Sequence, residues 1–277
     1  METTLREVCV ALRKEGYTLS EIVERTGGPK TTVYSYIRDL PLSAERKDSI
    51  RQRAGDRMRE FALSRKGKSV RMFKEFSTWS PQLVLLVAHL IFDGELSSSG
   101  CRYNNRSGAL IQRVRTLMKG IYDFDPKLYV NPITGVTKIG YNNVALGTYL
   151  LKKAEELLEE IERMPRECKR EFLRAFFDDE GCMDFRPARN KRRVRGYQKN
   201  IRILSIVQSL LADLDINAHI VLPNEVLITG KSELLKFQKE INFSPGVRVN
   251  GNRSNSIWKE HVEKRDLLAR AIDSYQI

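Results

Sequence analysis

Two apolar runs, each ending in an acid followed by glycine, stand 87 residues apart and constrain this chain more than any other feature. The first, SPQLVLLVAHLIFDG, closes at Asp93-Gly94, and the second, ECKREFLRAFFDDEG, closes at Glu180-Gly181. Each reads as a buried helix with a small residue, Ala88 or Ala175, five positions before its acid. The same succession follows each one. A basic, polar stretch able to form a hairpin (GCRYNNRSG; DFRPARNKRRVRGYQ) leads to an amphipathic helix (ALIQRVRTLMKGI; NIRILSIVQSLLADLDI). A second strand pair (KLYVNPITGVTKIGY; AHIVLPNEVLITG) and a closing helix (NVALGTYLLKKAEELLEEIE; KSELLKFQKEI) complete each copy. So long a period excludes a solenoid and fits two αββαββα halves of one domain. The predicted fold is therefore α+β, a pseudo-symmetric duplication over 81–277 with halves of about 81–165 and 166–277.

The helix ends are electrostatically odd. A glycine there reads as an ordinary stop in the left-handed conformation. The acids sit at the negative end of a helix, where anions repel it and one another. A single acid so placed is ordinarily a solvated surface charge. Two in equivalent positions of a duplicated frame are different, because helices packed through Ala88 and Ala175 bring Asp93 and Glu180 together. A divalent cation reverses the sign of that interaction, since carboxylate and backbone oxygens are the hard ligands Mg²⁺ (or Mn²⁺) prefers. Such a site suits phosphodiester hydrolysis. Asp178 and Asp179 read as supporting residues.

Composition narrows the partner. Among 277 residues, 41% hydrophobic, Lys and Arg number 48 against 35 Asp and Glu, a formal net charge of +13. That excess favours a polyanion, nucleic acid before membrane. No apolar window of membrane-spanning length and no signal-peptide layout is present, so a cytoplasmic protein is expected. Four cysteines without a CxxC pair and three scattered histidines speak against structural zinc or disulfides, leaving free, mostly buried thiols.

Residues 1–40 read as a helix-turn-helix DNA-binding domain. Helix, short helix, the Gly27-Gly28 turn and a third helix opened by Pro29 in its first turn give the pattern, with a plain three-helix bundle as the alternative. On the third helix Val33 and Ile37 face inward, leaving Lys30, Thr31, Thr32, Tyr34, Ser35 and Arg38 for a groove. Residues 41–80 form a basic connector, with eleven Lys/Arg and three acids between Arg46 and Lys74. A solvated helix, a flexible linker or a segment lying along phosphates all fit that composition.

LVAHLIFDG (Leu86–Gly94) and LRAFFDDEG (Leu173–Gly181) resemble the two signature copies of single-chain LAGLIDADG homing endonucleases. The likeness covers roughly 80–277. The first copy is looser, with His89 and Ile91 where the consensus has Leu and Asp. The resemblance implies that Asp93 and Glu180, at the Gly94 and Gly181 junctions, bind catalytic metal, Mg²⁺ or Mn²⁺. It implies saddle-shaped sheets that read double-stranded DNA in the major groove, through Arg102, Asn104 and Arg106 in the first half. In the second half that role falls to Arg186, Arg189, Lys191, Arg192, Arg193 and Arg195. Lys138 and Lys231 are the candidates for the lysines that family members place near each scissile phosphate. The expected protein is a monomeric, freestanding, site-specific DNA endonuclease, nucleoid-associated when bound. The alternatives are a non-cutting regulator on the same scaffold, like the WhiA regulators in concept, and an RNA-splicing maturase.

Overall fold

Thr4 and Thr18 start the first two helices. The computed structural model of the chain describes residues 4–65, 73–123, 125–126, 128–250 and 258–275. The two threonines cap α1 (Leu5–Lys14) and α2 (Leu19–Thr26), and Glu7 and Glu21 return the bond to each threonine N–H. Each exchange satisfies two donors that a helix start would otherwise leave orphaned. Helix α2 stops at Gly27, whose φ of 63° a side chain would strain. Pro29, expected in the first turn of the next helix, stands at the N-cap of α3 (Lys30–Ile37). Cys9, Ile22, Val33 and Ile37 make a small separate core, with Val33 and Ile37 turned inward.

The chain divides into units Met1–Lys68 and Ser69–Ile277. Residues Ala44–Arg65 of the basic segment form one long helix, α4, of the first unit. Arg46 ties its start to the carbonyl of Gly16 at 3.0 Å and to Glu21 at 3.3 Å. Lys66, Lys68 and Arg71, three of the cations of the expected basic connector, lie outside the described residues.

The second unit repeats itself as its sequence does. Its first half runs α5 (Pro81–Phe92), β1 (Gly94–Ser97), β2 (Gly100–Asn105), α6 (Gly108–Tyr122), β3 (Tyr129–Val130), β4 (Thr137–Tyr141) and α7 (Val144–Glu160). The second runs α8 (Arg166–Asp179), β5 (Gly181–Arg186), β6 (Lys191–Tyr197), α9 (Ile201–Asp213), β7 (His219–Val221), β8 (Glu225–Thr229) and α10 (Lys231–Glu240). Each half makes one antiparallel four-stranded sheet, in the orders β1-β2-β4-β3 and β5-β6-β8-β7. This is the α+β duplication the sequence predicts. Among the described residues of this unit, one α-helix lies outside the repeat: α11 (Lys264–Asp273), which packs on α10 and β5.

Helices α5 and α8 pack against each other in one continuous core. Ala88 and Ala175 are fully buried, and the Phe92 ring meets Phe172 and Phe176 edge-on at 5.4 and 5.3 Å. Each such pair adds about 1 kcal/mol beyond the area it buries. The glycines that end the two helices correct one expectation, because neither has a positive φ. They are required for space instead. A Cβ at Gly94 would lie 2.3 Å from the Leu90 carbonyl oxygen, and one at Gly181 would lie 2.4 Å from that of Phe177. Each helix therefore passes directly into the first strand of its sheet.

Among the described residues no helix is long and apolar enough to cross a membrane. All four cysteines are free, with Cys9, Cys101 and Cys168 buried.

Candidate functional site

Asp93 and Glu180 are the C-cap residues of α5 and α8, with nearly equal backbone angles (φ −106°, ψ 7° and φ −103°, ψ −6°). Both line one cleft, together with Asp178, Asp179, Gly181, the hairpin residues Asn104, Asn105 and Arg106, and the strand residues Asp184, Arg186 and Arg195. The carbonyl oxygen of each acid accepts a backbone N–H from the second strand of its own sheet, Asn104 for Asp93 and Tyr197 for Glu180. Helix end and hairpin are thus tied together in the same way twice.

The four carboxylates of this region are not equivalent. Asp178, 2% exposed, accepts from Arg113 Nη1 at 3.0 Å and from the Ser244 N–H at 2.9 Å. The fully buried Asp179 side chain meets His89 Nδ1 at 2.8 Å and accepts the Tyr103 hydroxyl proton at 2.7 Å. Among the described residues the Asp93 side chain receives one bond, from Asn105 Nδ2 at 2.6 Å. Glu180 receives none from a side chain among the described residues. Asp178 and Asp179, read from the sequence as supporting residues, are both buried and engaged by side chains of other elements.

The electrostatics follow from those partners. Burial, then the charge of Asp179, pushes the Asp93 carboxyl up to about 7, against the pull of Lys264, His89 and Asn105. Burial, then Asp93 and Asp179, pushes Glu180 up to about 7 as well, with Lys264 opposing. The two acids feel each other because their helices end side by side. Hard oxygen donors that destabilise one another, and lack the cationic partner Asp178 has, fit a divalent cation. No group of three or more His, Cys, Asp or Glu able to hold a metal gathers among the described residues.

Neither lysine taken from the sequence lines the cleft. Lys138 lies on β4, paired with Asn104 and Tyr129, and Lys231 opens α10. The lysine of the site is Lys264, the first residue of α11. Its buried Nζ donates to the carbonyl oxygen of Asp178 at 2.7 Å and to that of Phe177 at 3.4 Å. Burial depresses this ammonium, while Asp178, Cys182, Asp179 and Asp93 support its charge. Nothing in VEKRDLL distinguishes Lys264 from a solvated charge. Asn105, equally unforeseen, shares a strand face with Tyr103, whereas Asn104 shares the opposite face with Arg102.

The basic hairpin residues separate in the same way. In the first half Arg102 pairs with Glu95 at 3.3 Å and Arg106 lines the cleft. In the second, Arg186 and Arg193 bond Asp184, and Arg195 bonds Glu225. Arg192 lies on the other face of β6, where it donates to Ser274 Oγ at 2.6 Å and covers the Tyr275 ring at 4.7 Å. Arg189 ends the short hairpin turn and Lys191 opens β6. In the first unit, Lys30, Thr31, Tyr34, Ser35 and Arg38 are exposed along α3, and Thr32 is half-buried.

Residues 167–242 match the family model of the LAGLIDADG-like domain. The structure of the homing endonuclease I-DmoI in complex with DNA and Ca is 20% identical, over 60% of this chain and 91% of that one, with a TM-score of 0.46. The N-terminal LAGLIDADG domain of DUF199/WhiA is 18% identical over 62% and 88%, with a TM-score of 0.44. Full-length DUF199/WhiA from Thermatoga maritima is 17% identical over 73% and 64%, with a TM-score of 0.48. No curated protein matches the chain. The residues that match the LAGLIDADG-like model run from α8 through α10.

Proposed function

We propose that the chain binds double-stranded DNA at a defined sequence and cleaves its phosphodiester bonds in a reaction that depends on Mg²⁺ or Mn²⁺. The observation that carries this is the pairing of Asp93 and Glu180, carboxylates on equivalent helix ends, both pushed up to about 7 in one cleft between basic strands. Asp93 and Glu180 would hold the cation, with backbone oxygens near Gly94 and Gly181. Its chemistry there is Lewis acidity toward a phosphodiester and a lowered pKa for water. Asn105 fixes the Asp93 carboxylate, and Lys264 fixes the last turn of α8 on which Glu180 stands. The two sheets carry the cations that meet the phosphates. Helix α3, with its exposed polar face, adds a second DNA contact of the helix-turn-helix kind, and α4 adds sequence-independent attraction. A duplicated site within one chain supports a monomer.

One observation favours a second reading, a regulator that binds without cutting. Lys138 and Lys231, the candidates for the lysines a nuclease places beside the scissile phosphates, do not line the cleft. Supercoiled DNA incubated with the full chain and Mg²⁺ or Mn²⁺ decides between the two. Metal-dependent nicking or linearisation lost in both Asp93→Asn and Glu180→Gln supports the nuclease. Sequence-specific retention of DNA without cutting supports the regulator.

A further inference from the structure

On the second sheet, Cys182, Asp184 and Arg186 of β5 lie opposite Arg195, Arg193 and Lys191 of β6. These residues share the face away from the core, because Met183, Phe185 and Val194 between them are buried. Asp184 is 7% exposed and lies at the centre of this face. Its Oδ1 accepts from Arg186 Nε at 2.8 Å and its Oδ2 from Arg193 Nε at 2.9 Å. Arg195 Nη1 stands 3.9 Å from the same Oδ2, with its main bond to Glu225. Burial works against an ionised Asp184, but the bonds from Arg193 and Arg186 outweigh it and hold the carboxyl below its usual range.

Both bonds use Nε. The Nη1 and Nη2 ends of Arg186 and Arg193 carry no acceptor among the described residues, and the two side chains remain 34% and 26% exposed. A guanidinium held by its Nε edge keeps its end-on pair of donors in a fixed plane. That pair matches the O6 and N7 acceptors that guanine presents in the major groove. A phosphate also accepts such a pair, but a phosphate contact carries no sequence information, so a change in base preference separates the two. Holding the side chain beforehand also removes the ordering cost that binding would otherwise carry. The other cations of this hairpin are placed differently: Arg192 is turned to the opposite face and Arg195 is engaged by Glu225.

We infer that Arg186 and Arg193 read guanines in the half of the DNA site covered by the second sheet, and that Asp184 is the positioning residue that orients both. This rests on the proposed binding of double-stranded DNA, though not on its cleavage. One carboxylate holds the two readers, so their guanines lie on the same or neighbouring base-pair steps.

Selection of bound duplexes from a randomised library tests it, with the full chain as parent and as Asp184→Asn, Arg186→Lys and Arg193→Lys. The parent is expected to select one or two fixed guanines that each lysine variant relaxes separately, by roughly tenfold in discrimination. Asp184→Asn is expected to relax both at once, with the salt dependence of overall binding unchanged because no phosphate contact is lost. A parent consensus without guanines sensitive to Arg186 or Arg193 would overturn the inference. So would an Asp184→Asn protein of parental circular dichroism that keeps full guanine discrimination. If Asp184→Asn does not fold, the two lysine variants decide alone, since Arg186 and Arg193 stand at the surface. A parent that retains no duplex at all overturns DNA binding itself, and the two failures are thereby distinct.

Discussion

Lys264 reaches from the first turn of α11 to the carbonyl oxygen of Asp178, 2.7 Å from its Nζ, and so fastens the last turn of α8 from below. Carbonyls at a helix end have no partner within the helix, and a buried end needs a donor from elsewhere. Lys264→Met keeps the length of the stem and removes that donor. Urea unfolding at neutral pH is expected to reveal a loss of about 1–3 kcal/mol, the penalty of buried acceptors left unsatisfied. An unchanged midpoint would mean that the ammonium contributes nothing net.

The paired carboxyls make stability depend on pH. Asp93 and Glu180 have folded values raised to about 7 from 3.8 and 4.5, so between those limits the folded state binds more protons than the unfolded one. Their contribution is fully present below the unfolded values and is lost as pH rises through about 7. The melting temperature without divalent cation should therefore fall as pH rises from about 4.5 to about 7, relative to the Asp93→Asn, Glu180→Gln double variant. Mg²⁺ should restore part of the loss at pH 8 in the parent and none in the double variant. Parallel curves for the two proteins would refute the coupling.

Space at the helix ends gives a steric prediction. Gly94→Ala and Gly181→Ala place a methyl group against backbone oxygen, which no rotamer relieves. Each should cost about 1–3 kcal/mol, in line with overpacked sites generally. Gly196→Ala, whose Cβ would lie 2.3 Å from Phe176 Cε1, should do the same, as thermal unfolding of the three variants can check.

His89 and Asp179 form a buried pair across the α5–α8 contact, 2.8 Å apart. His89→Leu removes one of the two side-chain bonds to the buried Asp179, leaving that of Tyr103, and should cost about 1–3 kcal/mol. Asp179→Asn in the same protein should recover part of it, because the amide is neutral and Tyr103 still approaches. A double-mutant cycle in urea measures the coupling, and strictly additive losses would contradict it.

Much of this was legible in the sequence because repetition is a strong signal. The 87-residue period identified both αββαββα halves and both helix-end acids, and Ala88 and Ala175 marked the close packing between them. What escaped had no local signature. Helix α11 falls outside the repeat, so its buried lysine could not be found by comparing copies. The six cations of DFRPARNKRRVRGYQ looked alike as charges. Only the strand register separates Arg192, turned toward Ser274 and Tyr275, from Arg186 and Arg193 on Asp184. Gly94 and Gly181 were identified as helix stops for a conformational reason, whereas the passage of helix into strand requires them for a steric one.

The contact between α5 and α8 bears on what each half could do alone. Aligning the two motifs sets His89 opposite Phe176 in the repeat and Phe92 opposite Asp179, so the His89–Asp179 bond has no mirror image across the contact. A symmetric pair of second halves would bury two Asp179 carboxylates with no histidine to meet them. A pair of first halves would bury two His89 rings with no acid. Each half has thus become a poor partner for its own copy and a specific one for the other. In a self-assembling ancestor of identical subunits any such change would have appeared on both sides at once. Joined in one chain, the halves are free to differ, and the shared core matches His89 with Asp179 on one side and Phe92 with Phe176 on the other.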